Sequence, residues 1–285
     1  MAEILSLREA IAGLVHDGDS VALEGFTHLI PHAAGHEIIR QGRTELTLIR
    51  MTPDLIYDQL IGMGCARKLV FSWGGNPGVG SLHRLRDAVE NDWPRKLEIE
   101  EHSHAAIANA YEAGAAGMPF AAFRGYLGTD HAAHNPNIKR IRCPFTGDEF
   151  AAVPAIRPDV AVIHAQRADR RGNVLISGIV GAQKEVVLAA KRAIVTVEEI
   201  VDDLDGVGLN SLILPDFVID AVCEVPRGAH PSYAHGYYER HNAFYKRWDA
   251  ISRDRERFGS WIERYVTGVA QWSDTWARLT EDNHV

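Results

Sequence analysis

A short stretch near the amino terminus combines residue types that can hold a ligand against the polypeptide backbone. Residues 21–27 read Val-Ala-Leu-Glu-Gly-Phe-Thr, so that an apolar run ends in a carboxylate, a glycine and a hydroxyl. Glycine lets the backbone approach a ligand closely, and open α/β sheets bind ligands beyond the carboxyl ends of their strands. Gly25 and Thr27 are therefore candidate binding residues, with an ordinary strand-to-loop glycine as the alternative.

Glu24 adds a carboxylate at the end of the same predicted strand. A glutamate at a strand end is often exposed and structural, but it can also serve as a nucleophile or a general base. The sequence pattern is compatible with both roles. Glu101, which ends a later predicted strand, is the other carboxylate that could act as a base.

A second glycine-rich loop follows another predicted buried strand. Residues 72–80 read Ser-Trp-Gly-Gly-Asn-Pro-Gly-Val-Gly, and such loops can bind phosphate oxygens through backbone N–H groups. No Lys-Ser or Lys-Thr pair follows, which excludes a P-loop, and the glycine pattern of dinucleotide-binding folds is weak. This loop is a candidate phosphate contact, with a plain flexible connection as the alternative.

A third predicted strand leads into a helix. Ser103 is a suitable N-cap residue, and backbone N–H groups at a helix start favour anions. His102 and His104 are two residues apart, and residues at that spacing do not face each other on a helix. A surface or capping role is therefore favoured over metal binding, and no metal site is expected.

The composition excludes several classes of function. The 285-residue chain has a formal net charge of -8 and no stripe of basic and aromatic residues, so nucleic-acid binding is not expected. Its three cysteines form no C-x-x-C pair, which disfavours a disulfide framework or a zinc site. No apolar run reaches the roughly 18 residues of a membrane span, and the amino terminus lacks a signal-peptide pattern. We expect a cytoplasmic protein that does not bind membranes.

Predicted helices and strands alternate along the chain and position these residues. The first helix begins with a capping box formed by Ser6 and Glu9. This alternation predicts an α/β fold, an open and largely parallel sheet flanked by helices. Residues 130–136 are predicted to form a loop, and the aromatic tail to pack against the body or a partner. We treat residues 1–285 as one domain, with 239–285 as a helical carboxyl-terminal extension. Apolar periodicity predicts helices over 7–15, 32–41, 54–62, 81–89, 105–116, 184–190 and 239–266, and strands over 20–23, 46–51, 68–73, 97–101, 160–164, 174–177, 193–197 and 217–225.

Taken in order, several stretches resemble the A (alpha) subunits of class I coenzyme A (CoA) transferases, and within that family the glutaconate CoA-transferase type. The resemblance covers nearly the whole chain up to the tail helices. It depends on the whole set of motifs, since no single one is specific. The stretches are residues 21–27, 37–42, 116–120, 143–147, 152–154 and 159–166, then Asp169 and Gly172-Asn173, and finally 194–200 and 228–232.

The resemblance implies a subunit of the CoA-transferase or NagB/RpiA-like fold that is active only with a B subunit, in an expected heterotetramer. Enzymes of this family move CoA from an acyl-CoA to a free carboxylic acid. A glutamate attacks the thioester, giving an acyl anhydride and then a glutamyl-CoA thioester, which divides one difficult step into easier ones. In the two-subunit enzymes this glutamate lies on the B subunit. CoA is a substrate, and no cofactor is expected.

The resemblance also implies that this chain forms a wall of the pocket that binds the acyl group. Glu24 replaces the first glycine of the family's Gly-Gly-Phe motif. Relatives on this scaffold include acyl-CoA hydrolases and decarboxylases, so hydrolysis or C–C bond cleavage with Glu24 or Glu101 as base stays an alternative. The positions that match the two family loops and the polar substrate-facing site are Gly25, Phe26, Thr27, Ser72, Gly75, Asn76, Ser103 and His104.

Two further points concern the ligand. The acid could be a short dicarboxylic or 3-oxo acid, and Arg40, Arg50 and Arg124 are candidate partners for a substrate carboxylate, although a surface role is commoner for any one arginine. A non-catalytic subunit that only binds acyl-CoA is the third hypothesis.

Overall fold

The computed structural model describes residues 2–205 and 207–283, along which strands and helices alternate. The strands are β1 (Glu3–Ile4), β2 (Ser20–Glu24), β3 (Leu46–Arg50), β4 (Ala66–Phe71), β5 (Glu98–Glu101), β6 (Phe120–Phe123), β7 (Lys139–Arg142), β8 (Glu149–Pro154), β9 (Val160–Asp169), β10 (Val174–Ser177), β11 (Arg192–Val201), β12 (Ser211–Leu214) and β13 (Ala221–Glu224). The helices are α1 (Leu7–Leu14), α2 (His32–Arg40), α3 (Leu55–Gly62), α4 (His83–Asn91), α5 (His104–Ala115), α6 (His131–His134), α7 (Gln183–Ala189), α8 (Asn242–Ser252), α9 (Arg255–Ile262) and α10 (Trp272–Glu281), with a 3-10 turn at Asp216–Val218 and a π-helical turn at Glu263–Thr267.

The main sheet has a long parallel part, in the strand order β1-β13-β11-β9-β2-β3-β4-β5. Parallel strands that are covered on both faces need nearly continuous apolar sequences, and β2, β9 and β11 are buried along most of their length. From β2 the chain builds the sheet in one direction, and from β9 it builds in the other. The border between β2 and β9 is thus a topological switch point, where open α/β sheets bind ligands.

β9 and β11 continue past the end of β2. The β2–β9 ladder ends at the pair Glu24–Ile163, whereas the β9–β11 ladder continues to Asp169–Val201. β10 pairs antiparallel with the end of β9, and β12 pairs antiparallel with β10. These two strands therefore stand beyond the carboxyl end of β2, beside the loop that follows it.

A separate antiparallel sheet, β6-β8-β7, was not predicted from the sequence. Its strands are short, and β7 reads Lys-Arg-Ile-Arg, so the apolar alternation that identifies a strand is weak. Against α5 this sheet encloses a small core of its own, which includes Ala106, Tyr126 and Val153.

The aromatic tail packs into the main core of the same chain. Trp248, Phe258 and Trp261 belong to one apolar cluster with Leu23 and Leu60. The rings of Trp248 and Trp261 meet edge to face with centroids 5.0 Å apart, an arrangement worth about 0.5–1.5 kcal/mol beyond the burial itself. The sequence left open whether these aromatic residues pack against the body of the chain or against a partner. In the structure they pack against the body of the chain. Among the described residues, no helix is both long and apolar enough to cross a membrane.

The observed elements confirm the predicted fold class and several local signals. The Ser6–Glu9 capping box forms, with the Ser6 N–H donating to Glu9 Oε2 at 3.0 Å. Ser103 is the N-cap of α5, and its Oγ accepts from the N–H of Ala106 at 3.1 Å. Each of these bonds spans only three residues, so the sequence alone specifies it.

Several boundaries were predicted wrongly. The N–H of Ser81 donates to Asp249 Oδ1 at 3.0 Å in the tail, so α4 begins at His83 rather than at Ser81. The stretch predicted as a strand over 217–225 opens with a 3-10 turn, because Pro215 and the bond from the Asp216 N–H to Asn173 Oδ1 set up a turn there. The predicted loop over 130–136 contains the one-turn helix α6.

Candidate active site

The loops that carry most of the predicted site residues meet at one edge of the sheet. β2, β3, β4 and β5 are neighbouring parallel strands, so their carboxyl ends lie side by side. Backbone hydrogen bonds join the loops that follow them. The N–H of Ser72 donates to the Met51 carbonyl at 3.2 Å, that of Gly75 to the Pro53 carbonyl at 3.0 Å, and that of His102 to the Phe71 carbonyl at 2.7 Å.

The first loop turns sharply at Gly25. A Cβ atom at this position would lie 2.7 Å from the Leu29 carbonyl oxygen and 2.8 Å from that of His28, so only glycine fits. Thr27 and Leu29 have φ angles of 58° and 52°, which is a strained conformation for residues with side chains. Phe26 is 38% exposed and lies beside Gly181. The loop thus presents backbone and side chain to the site at the cost of local strain.

Arg50 holds the first loop in place. Its Nη2 donates to the Gly25 carbonyl at 2.7 Å, and its Nη1 donates to Asp54 Oδ1 at 3.0 Å. The side chain is 1% exposed, and a buried ion pair of this kind is costly to break from one side. The structure therefore gives Arg50 a structural task, which weakens its candidacy as a partner for substrate.

Glu24 is buried behind the same loop. Its Oε1 accepts from the Met51 N–H and from the Tyr111 hydroxyl, both at 3.0 Å, and the residue is 2% exposed. Burial raises the pKa of this carboxyl, and the nearby Arg50 charge opposes that shift. These contacts tie β2 to the loop after β3 and to α5, which favours the structural role over an accessible nucleophile or base.

The second loop contains an unsatisfied amide. Asn76 is 2% exposed, and neither its Oδ1 nor its Nδ2 has a hydrogen-bond partner among the described residues. Buried polar groups are nearly always paired, so this side chain is free to bind a ligand or water. Ser72 uses its hydroxyl, which donates to the Met51 carbonyl at 2.5 Å. At Gly75 a Cβ atom would lie 2.7 Å from the Trp73 ring.

The third group lies farther along the edge. The N–H of Ser103 donates to the Tyr126 hydroxyl at 2.5 Å, while its Oγ caps α5. His104 is exposed at the first position of that helix. Glu101 is exposed and lines a cavity of about 490 Å³ on the outer side of β5, together with His131 and His134 of α6. No group of three or more potential metal ligands occurs among the residues described.

The structure thus brings some predicted residues together and not others. Thr27 and Gly75, from the first and second loops, line one small cavity, which neither Ser103 nor His104 reaches. Arg40 donates to the Val266 and Val269 carbonyls at 3.1 and 3.0 Å, which anchors α2 to the tail.

Two further arginines, Arg124 and Arg240, differ in their position relative to the two loops. Arg124 is exposed and pairs with Asp148 at 2.8 Å, away from the two loops. Arg240 was not singled out in the sequence, yet it lines the same cavity as Thr27 and Gly75. It falls within the helix predicted over 239–266, but α8 begins only at Asn242, so residue 240 lies in the connection before that helix; the helical pattern gave no sign that this side chain reaches the second loop.

Comparison with known proteins gives consistent matches that cover most of the chain. The coenzyme A transferase family model matches residues 4–225. The chain is 66% identical over 281 residues to the A subunit of the 3-oxoadipate CoA-transferase of Pseudomonas knackmussii, with 99% of each chain covered. It is 34% identical to the A subunit of the glutaconate CoA-transferase of Acidaminococcus fermentans, covering 93% of this chain and 88% of that one.

Solved structures agree with these matches. The crystal structure of glutaconate CoA-transferase from Acidaminococcus fermentans superposes with a TM-score of 0.91 at 33% identity, covering 98% of this chain and 93% of that one. A variant of the decarboxylase AibA/AibB superposes with a TM-score of 0.79 at 30% identity, covering 92% and 99%.

Proposed function

The chain belongs to the coenzyme A transferase family, and we propose that it is the A subunit of a heteromeric 3-oxoadipate CoA-transferase. The single observation that carries the substrate assignment is the 66% identity to the A subunit of a 3-oxoadipate CoA-transferase, across 99% of both chains. The resemblance to A subunits inferred from the ordered motifs is confirmed by the family match and by the glutaconate enzyme.

The reaction in this proposal proceeds through a glutamate on the B subunit. Its carboxylate attacks the acyl-CoA carbonyl and expels CoA thiolate, leaving an acyl-glutamyl anhydride. The thiolate then attacks the glutamyl carbonyl and releases the first acid, leaving a glutamyl-CoA thioester. The carboxylate of the acceptor acid then attacks the glutamyl-CoA thioester, which forms a new anhydride and releases CoA thiolate. The thiolate attacks the acceptor's acyl carbonyl, which gives the new acyl-CoA and frees the glutamate carboxylate. CoA enters as a substrate, and the scheme needs no other cofactor.

The carboxylates of this chain are consistent with a nucleophile on the partner. Glu24 is 2% exposed and already accepts two hydrogen bonds, so a thioester carbonyl could reach it only after local opening. Glu101 lies on the far side of β5, in a different cavity from Thr27 and Gly75. An attacking group must come within about 3–3.5 Å of the carbonyl carbon.

This chain would then supply one wall of the acyl pocket. The proposed contacts are the turn at Gly25, the exposed Phe26 ring and the unpaired amide of Asn76, which is as buried as Glu24 and becomes accessible only when the second loop opens. The amide N–H groups of Asn76 are suited to oxygen atoms that gain charge in a tetrahedral intermediate. The remaining candidates, Ser72 and Ser103, use their hydroxyls within the protein and would position the loops.

The first experiment is to co-express the chain with a candidate B subunit, to purify the complex and to assay CoA transfer. Succinyl-CoA and other short acyl-CoAs serve as donors, and 3-oxoadipate, glutaconate and acetoacetate serve as acceptors. We expect acceptor-dependent formation of 3-oxoadipyl-CoA with the highest kcat/KM. Ligand binding without turnover by the complete complex would instead support a non-catalytic subunit. The cytoplasmic location stays a prediction, which assays of cell fractions would test.

The structural match to a decarboxylase gives the alternative chemistry a specific basis. In that alternative Glu24 is a base, and Glu24→Gln abolishes turnover. In the transferase mechanism the glutamine oxygen still accepts from the Met51 N–H, and kcat falls by no more than about 10-fold, the effect of one altered buried hydrogen bond. Loss of all activity in this variant, with the complex still assembled, would support a lyase or a hydrolase.

A further inference from the structure

A small cavity at the border of the first and second loops holds two guanidinium groups. Thr27 and Thr52 line it on one side and Gly75 on the other, and Arg50, Asp54 and Arg240 complete its polar lining. Its volume is about 10 Å³, which is room for one water-sized group. A single carboxylate oxygen has that size.

The two guanidinium groups differ in what they bind. Arg50 uses both of its terminal nitrogens, for Asp54 at 3.0 Å and for the Gly25 carbonyl at 2.7 Å. Arg240 reaches the Pro77 carbonyl with both terminal nitrogens, but at 3.3 Å each. The Nε of Arg240, like that of Arg50, is buried without an acceptor among the described residues. The five N–H groups of this guanidinium therefore keep the capacity for a further acceptor.

The charge at this place is unbalanced. Asp54 is the acidic residue of the cavity lining, and Arg50 already binds it. Within the part of the chain that the structure describes, Arg240 forms no ion pair within 4.0 Å. The Tyr245 ring stacks under its guanidinium, 4.5 Å from Cζ to the ring centroid, which fixes the plane of the group. The Arg240 charge acts on Asp54 and opposes the rise in the pKa of that carboxyl that burial causes, so two guanidinium groups share the one carboxylate of the cavity lining.

We propose that Arg240 binds the second carboxylate of a dicarboxylic acyl group, with the Thr27 and Thr52 hydroxyls as additional donors. The inference rests on the proposed function. One carboxylate of 3-oxoadipate exchanges CoA, and the other stays ionised throughout the reaction. A carboxylate removed from water needs a cation and hydrogen-bond donors. A guanidinium N–H group that lacks an acceptor can donate to the one carboxylate oxygen that the cavity has room for.

A purely structural role for Arg240 makes a different prediction. If the side chain only holds the second loop through Pro77, its loss would impair every substrate equally. If it binds the distal carboxylate, its loss would impair dicarboxylic acids and leave monocarboxylic acids nearly unchanged. Substrate preference, rather than activity alone, therefore separates the two roles.

The test uses the purified complex with the B subunit. Wild type is compared with Arg240→Gln, with Arg240→Lys and with Arg264→Gln, an exposed tail arginine that pairs with Asp282. The acceptors are 3-oxoadipate and 3-oxohexanoate, which differ in the distal carboxylate. Adipate and hexanoate are tested as competitive inhibitors, which need not turn over. Size-exclusion chromatography and thermal melting check that each complex is assembled.

We expect Arg240→Gln to lower kcat/KM for 3-oxoadipate about 100-fold, mainly through KM, equivalent to roughly 3 kcal/mol at 1.4 kcal/mol per factor of ten. Values for 3-oxohexanoate change by less than about 2-fold, adipate loses its advantage over hexanoate as an inhibitor, and Arg240→Lys falls in between. Equal losses for both acids, or no loss for either, would overturn the inference. A wild-type complex that does not use 3-oxoadipate would instead refute the proposed function.

Discussion

Acid should destabilise the contact between α2 and the tail through His36, a buried histidine. Its ring is 4% exposed and lies 5.4 and 6.0 Å from the rings of Trp272 and Trp261. Nε2 lies 2.8 Å from Gln59 Oε1, and Nδ1 has no partner among the described residues. The site therefore fits a neutral imidazole, and an N–H group formed by protonating the second ring nitrogen would have no acceptor.

The size of the effect follows from the pKa difference. Burial, with the Arg40 and His32 charges, lowers the pKa of His36 from 6.5 to about 3. A group whose pKa is lower in the folded than in the unfolded protein contributes its full share of the folding stability above the unfolded pKa, here 6.5. That stability is lost as the pH falls from 6.5 towards 3. Between pH 7.5 and pH 5, protonation of His36 in the unfolded state stabilises that state by about 2 kcal/mol, which is about 1.5 pH units below the unfolded pKa at 1.4 kcal/mol each. The free energy of unfolding falls by the same amount.

The assay is urea unfolding of the complex with the B subunit, followed by tryptophan fluorescence, to which Trp261 and Trp272 contribute among the six tryptophans of this chain. Wild type and His36→Gln are compared at pH 7.5 and pH 5, with the surface substitution His134→Gln as the control. With a slope of roughly 3 kcal/mol/M, removing His36 should reduce the acid-induced fall in the midpoint by about 0.7 M. The control should match wild type. An identical fall in His36→Gln and wild type would refute this account of the buried ring.

Three further predictions concern the site and the tail. Gly25→Ala places a Cβ atom 2.7 Å from the Leu29 carbonyl oxygen; we expect about 1–3 kcal/mol of destabilisation and a fall in kcat, measured by melting and transfer assays. Arg50→Met leaves Asp54 buried without its partner, so the complex should lose about 3–5 kcal/mol in urea titrations, whereas Arg264→Gln should change stability by less than about 1 kcal/mol. A chain ending at Glu239 lacks Trp248 and Phe258 of the main core and should not co-purify with the B subunit; recovery of an active complex would contradict the packing described for the tail.

Local signals in the sequence were sufficient for much of the fold. Ser6 and Glu9, or Ser103 and Ala106, interact across three residues, so the chemistry of a short window determines these caps. The order of apolar runs likewise predicted the parallel sheet and the loop at Gly25. The small sheet was missed because β7 carries three basic residues in four, and its pairing depends on β8 rather than on its own pattern.

The arrangement of the site depends on contacts that are distant in sequence. Glu24 meets Tyr111, 87 residues away, so its orientation could not be read from its own segment. Arg240 reaches the second loop at Pro77, 163 residues away, because the chain after β13 folds back over that loop. The family model, which ends at residue 225, does not extend to this segment either.

The central claim is that this chain walls the acyl pocket while a glutamate of the B subunit carries the covalent intermediate. The most direct test is to incubate the purified complex with acyl-CoA, trap with borohydride or hydroxylamine, and measure the intact mass of each polypeptide. We predict a modified glutamate on the B subunit, no modification of this chain, and CoA transfer that requires an acceptor acid. Release of CoA without an acceptor and without an adduct on the B subunit, or an adduct on Glu24 or Glu101, would contradict it.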